Sequence, residues 1–207
     1  LHSAVELLDL QYRGGQRTIV NSGAAMALLA RVYLYMEDWE MAENFSTQVL
    51  NETSTYTILG DLNSVFKANS REALWQISPI GSGGPATQTE DGSYFIIDPV
   101  YSNFASVRLD EAFVSDFDTT DLRMANWIGF YSEMNAYFPY KYKIWVSSEQ
   151  PIEEYSMVLR FAEQYLIRAE ARAQLGDISG AIADLDMIRN RAGIDLISDT
   201  NPEISKD

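Results

Sequence analysis

The chain has 207 residues, 46% of them hydrophobic, enough to bury a core as one domain or two closely packed lobes, which excludes a disordered chain. Its 15 Lys and Arg against 30 Asp and Glu give a formal charge of −15, which argues against nucleic acid or anionic headgroups as partners, because binding phosphates needs clustered cations. With no Cys and a single His, His2, there is no material for disulfides, thiolate metal sites, a Ser-His-Asp triad or a multi-histidine zinc site. No stretch approaches the roughly 20 apolar residues of a membrane helix, and the start at Leu1 has no charged-then-apolar pattern, so any export signal or lipid anchor is expected to lie upstream of this chain.

In chain order, Ala25, Leu28, Leu29, Val32, Tyr33 and Met36 recur at steps of three and four, predicting a helix over 21–36 capped by Asn21 or Ser22. Met41, Ala42, Phe45 and Val49 mark the inner face of a second helix over 38–51, and the tight turn between the two predicts an antiparallel hairpin. The same figure returns at 161–175 and 178–192 around Gly176-Asp177, with Gly193 suited to a left-handed helix end. Aligning the two pairs matches Ala30 with Ala169, Ala42 with Ala181 and Val49 with Ile188, so small residues recur where helices must approach closely. This is the pattern of tetratricopeptide-like hairpins, with Trp39 and Ile178 at the turns. Two hairpins cannot bury a continuous core alone, so other segments must cover their faces.

Residues 52–158 differ in character. A short strand is predicted at 73–77, an exposed Gly- and Pro-rich loop over 79–92, a short helix over 109–117, and a strand from the alternation at 140–146. Long irregular connections inside a compact domain usually carry function. The expected architecture is mostly α and a single domain over 1–207. Hairpins at 21–51 and 159–193 form the support, and a loop-rich insertion with short strands at 52–158 forms the ligand surface.

Gly23-Ala24-Ala25 running into Ala27 to Tyr35, with Trp39, Ala42 and Val49 beyond, resembles the first repeat of the SusD/RagB nutrient-uptake family. Glu72 to Ile77 is similar to that family's strand, Asp121-Leu122-Arg123 to its D-x-R turn, and Lys141-Tyr142 to its K-Y step. Leu159 to Ala171, with Ala181, Leu185, Ile188-Arg189 and Arg191-Ala192-Gly193, is similar to its closing signature of paired helices. The anchors fall in family order from about Gly14 to Gly193. The family's lipid-accepting cysteine and closing segments are absent, so the chain is expected to be a fragment of a longer protein. The resemblance implies a SusD-like α/α superhelix on an outer-membrane, cell-surface lipoprotein that binds oligosaccharide as the lid of a SusC-like TonB-dependent transporter. It implies neither catalysis nor a cofactor.

Binding a glycan takes flat apolar faces for the C–H surface of the sugar ring and a few fixed polar groups for its hydroxyls. Trp127, Tyr131, Asn135, Tyr137, Tyr140 and Trp145 offer both, and Tyr94 and Tyr101 precede them in the same insertion. The competing reading makes Tyr140 and Trp145 core residues of a strand, and Trp75 core as well. Two other functions stay open: a helical-repeat adaptor that binds protein, and, more remotely, a glycosidase drawing on the abundant carboxylates.

Residues 116–121 have the oxygen density of a calcium loop but lack its central glycine and closing glutamate, so a turn is expected, with Asp121 pairing Arg123 or capping amides. Arg160 and Glu163 are expected to pair at a helix start, His2 to fray, and Glu90-Asp91 and Glu153-Glu154 to be solvated.

Overall fold

A computed structural model of the chain describes residues 1–80, 86–100 and 107–205. The described elements begin with α1 (His2–Leu7), α2 (Ser22–Tyr35), α3 (Trp39–Asn51) and β1 (Ala73–Ile77). The middle holds α4 (Glu90–Phe95), α5 (Glu111–Ser115), α6 (Leu122–Trp127), β2 (Ile128–Tyr131) and β3 (Ala136–Pro139). The chain closes with β4 (Ser156–Arg160), α7 (Phe161–Leu175), α8 (Ile178–Ala192) and α9 (Ile197–Thr200). The fold is mostly α, as predicted. Among the described residues no helix is long and apolar enough to cross a membrane.

The hairpins begin and end where local chemistry directs. Asn21 Oδ1 accepts from Ala24 N at 2.8 Å and Asp38 from Met41 N at 3.2 Å, each satisfying an amide of a first turn. Gly176 and Gly193, at φ 88° and 72°, end α7 and α8 in the left-handed conformation that costs glycine nothing.

α2 packs on α3, α3 on α7 and α7 on α8, so the two hairpins form one continuous stack. Ala27, Ala30, Ala42 and Ala171 are completely buried in it, which lets the helix backbones approach. Tyr56 and Phe161, stacked at 5.8 Å, fill the space beneath α2. Ion pairs stitch the layers together: Arg31 holds Glu163 through two 2.6 Å bonds, and Arg168 and Arg172 share Asp184 while Arg172 also reaches Glu43. Glu163 is therefore committed to α2, and the expected Arg160–Glu163 pair does not form; Arg160 turns to Glu72, 3.8 Å away.

β1 pairs antiparallel with β4, from Ala73 opposite Arg160 to Ile77 opposite Ser156, closing the base of the insertion. Above it, β2 and β3 form a second hairpin, turned at Asn135 in the left-handed conformation, φ 46°. The insertion carries two cores of its own, one of Leu62, Val65, Phe66, Trp127 and Tyr142, the other of Ile96, Ile97, Ala136 and Phe138.

Several local expectations are corrected. Residues 140–146 are not a strand, because Lys143 N and Ile144 N donate to the Glu154 carboxylate, at 2.9 and 3.3 Å, instead of to a neighbouring strand. Glu154 is accordingly buried, not solvated, and burial raises its pKa against the pull of those amides and of Lys67 and Lys143. The end of the predicted 79–92 loop starts α4 instead: Thr89 caps Gly92 N at 3.0 Å, and Gly92 lies so close to the Ile144 carbonyl that a Cβ would overlap it. Residues 81–85 of that loop lie outside the described residues. His2 is helical, with Nε2 2.8 Å from the Tyr33 hydroxyl and its ring edge-on to Phe45. Trp75 is half-buried against the main core.

Candidate functional site

The β2–β3 hairpin, the Ile96–Pro99 segment and the Tyr140–Val146 segment enclose a cavity of about 540 Å³. Three of the predicted residues meet there: Tyr131, Tyr140 and Trp145. Register explains why the hairpin faces it. Ala136 and Phe138 alternate onto the buried side against Ile96 and Ile97, and Gly129 opposite Phe138 has no side chain, so the Phe138 ring occupies the space a Cβ would take. Phe138 in turn meets Tyr140 edge-on at 5.6 Å.

Lys143 sets the tyrosine. Its Nζ lies 3.9 Å from the Tyr140 ring centroid and donates to the Tyr140 carbonyl at 2.6 Å and to the Asn126 carbonyl, tying the cavity wall to the end of α6. Partial burial lowers the pKa of this ammonium. The Tyr131 hydroxyl donates to Glu133 at 2.6 Å, and the Trp145 carbonyl accepts from Ser93 Oγ at 3.2 Å. The walls are aromatic and aliphatic, with Asp98 and Lys143 as charged groups: flat apolar faces beside a few polar ones.

The other predicted residues lie elsewhere. Tyr137 packs on Phe130 at 4.7 Å but is not part of the cavity lining, and Asn135 is exposed at the hairpin tip. Tyr94 is exposed on α4, away from the cavity lining, and Tyr101 lies outside the described residues. Trp127 is only 7% exposed, with its indole N–H donating to the Leu62 carbonyl at 3.0 Å, so it anchors a core. Sequence reasoning missed Lys143, Phe130, Phe138 and Ile96-Ile97. The alternation Ala136-Tyr137-Phe138-Pro139 after Asn135 was the available signal for the hairpin.

A larger cavity of about 790 Å³ adjoins the first through Ile144 and Val146. It is lined by Thr87 and residues 147–151, and no aromatic ring of the described residues lines it. The aromatic cavity therefore suits a ring-shaped ligand better. Among the described residues no group of His, Cys, Asp and Glu is arranged to hold a metal ion. In the 116–121 segment, Asp118 accepts from Thr120 N and Oγ1, both at 2.9 Å, and Asp121 holds Arg123, so those carboxylates serve the turn and its neighbour.

Helical hairpins stacked beneath a loop-rich insertion with two short two-stranded sheets define a SusD-like fold. Residues 125–207 match the SusD family. It is similar to a SusD-like carbohydrate binding protein from Bacteroides vulgatus, at 20% identity and TM-score 0.76, over 99% of this chain and 43% of that one. A SusD-like protein from Bacteroides fragilis aligns at 18% identity and TM-score 0.77, over 98% and 52%. Surface glycan-binding protein A from Bacteroides uniformis aligns at 16% identity and TM-score 0.72, over 92% and 47%. The chain spans about half the length of the solved structures it matches. No curated protein matches it significantly by sequence.

Proposed function

We propose that the chain is the glycan-holding part of a SusD-like nutrient-uptake lipoprotein, and that it binds oligosaccharide in the cavity of Tyr131, Tyr140 and Trp145 without catalysing a reaction. The observation that carries this is the aromatic cavity itself: ring faces fixed by Phe138 and Lys143, with polar groups at the edge, suit a sugar's C–H face and hydroxyls. Two structural neighbours, a carbohydrate binding protein and a surface glycan-binding protein, support the same reading. By the family resemblance, the parent protein sits lipid-anchored at the outer-membrane surface beside a SusC-like TonB-dependent transporter.

Calorimetric titration with a panel of neutral oligosaccharides tests the binding. Trp145→Ala and Tyr140→Ala are each expected to cost about 0.5–1.5 kcal/mol, up to about tenfold in Kd, with folding retained. If no oligosaccharide binds, or both variants keep the original Kd, the reading is wrong.

A further inference from the structure

A second cavity, of about 390 Å³, lies against α6 and Pro139, and its chemistry runs against the acidic character of the chain. Arg123, Lys141 and Arg160 line it, together with the rings of Phe113, Phe117 and Trp127. Phe138 and Tyr140 wall the Trp145 cavity while Pro139 and Lys141 wall this one, so the two share one stretch of backbone as a partition.

Positive charge here exceeds its compensation. Asp121 pairs with Arg123 at 2.5 Å. Glu72 is shared, 2.6 Å from Arg191 and 3.8 Å from Arg160, and both guanidiniums lie within 6 Å of the Trp127 ring. Among the described residues, Arg160 Nη1 and Arg191 Nε are buried without a hydrogen-bond partner. Lys141 has no hydrogen bond or ion pair among the described residues; its ammonium lies 5.7 Å from the Trp127 ring at the exposed mouth. Asp91, across an adjoining cleft, acts on it only from beyond ion-pair distance. Partial burial and the nearby Arg160 charge lower the Lys141 pKa, as expected of a cation lacking an anion. Three cations thus line an aromatic-walled space, with Asp121 paired to Arg123, Glu72 shared between Arg160 and Arg191 behind it, and Lys141 held by no ion pair among the described residues.

We infer that this cavity is a second sugar subsite that takes an acidic unit, with its carboxylate or sulfate group at Lys141 and Arg160 and its ring against Phe113 and Phe117. The inference rests on the glycan-binding reading and narrows it to chains carrying charged residues. The rings favour a sugar over a bare anion, which would use the cations alone. The chain's net negative charge does not forbid it, because screening confines distant repulsion to about 8–10 Å at ordinary ionic strength.

The probe is D-glucuronate, with D-glucose as its neutral counterpart, followed through the NMR signal of the Trp127 indole N–H. Glucuronate is expected to shift that signal, and glucose to leave it near its starting position. Lys141→Met should weaken the glucuronate response about tenfold, the loss of one charge-assisted hydrogen bond, while Lys141→Arg retains it. Equal responses to the two sugars, indifference to Lys141→Met, or inorganic sulfate binding as tightly as glucuronate would each overturn the acidic-sugar assignment. Neutral oligosaccharides binding at Trp145 with no glucuronate response here would remove this inference alone. Glucuronate binding lost in Lys141→Met without any neutral oligosaccharide binding would remove the Trp145 platform and keep the acidic subsite.

Discussion

Glu72→Ala is expected to cost about 3–5 kcal/mol of folding stability, because it strips the carboxylate that pairs with the buried Arg191 and with the partly buried Arg160. Glu72 is completely buried at the head of β1, with Oε1 on Arg191 Nη1 at 2.6 Å and Oε2 accepting from Leu59 N at 3.1 Å. Its backbone carbonyl also accepts from Phe161 N at 2.8 Å, at the start of α7. One side chain therefore joins the first strand, the insertion and the last helical pair. Arginine keeps its proton even when buried, so the orphaned charges cannot neutralise themselves. In a chain of this size each kcal/mol shifts Tm by about 2–4 °C, so a fall on the order of 10 °C is expected in a thermal melt. Glu72→Gln keeps an acceptor for Leu59 without the charge and should fall between. A melt of Glu72→Ala within a degree of the unsubstituted chain would show that the carboxylate does not hold these cations.

Gly23→Ala should destabilise by about 1–3 kcal/mol, through overpacking. Gly23 sits in the first turn of α2, where an added Cβ would overlap the Tyr56 hydroxyl and come within 2.9 Å of Tyr56 Cζ. Tyr56 cannot yield easily: it is fully buried, and its hydroxyl bonds Asn21 Nδ2 at 2.8 Å and Tyr12 at 3.0 Å. Combining Gly23→Ala with Tyr56→Phe removes the oxygen that is struck. The double variant should therefore lose less than the sum of its parts, by about 1 kcal/mol in urea titrations. Strict additivity would mean that the helix moves instead of the ring.

The helical stack could be read from the sequence because its signals are local. Leu29, Ala30, Ala42 and Val49 repeat at helical spacing, Asn21 and Asp38 cap, and Gly176 and Gly193 terminate, each within a turn or two of the residue it affects. The insertion was less legible because distant side chains decide it. Tyr140 to Val146 alternates like a strand, yet the amides of Lys143 and Ile144 go to Glu154, which only the folded chain brings near. Glu163 is likewise adjacent to Arg160 in sequence and bonded to Arg31 in space. Of the residues singled out by aromatic content, Tyr131, Tyr140 and Trp145 line one cavity in the folded chain. Whether a given ring faces a cavity or a core depended on the β2–β3 register and on Leu62 reaching the Trp127 indole.

The β1–β4 ribbon sets Ile77 directly across from Ser156, so nearly eighty residues of chain leave and return at a single doorway. A segment attached in this way can lengthen, shorten or be exchanged with little disturbance to the framework below, because its two ends stay tethered whatever lies between them. New binding preferences can then arise by replacing one excursion while the stacked helices are inherited unchanged.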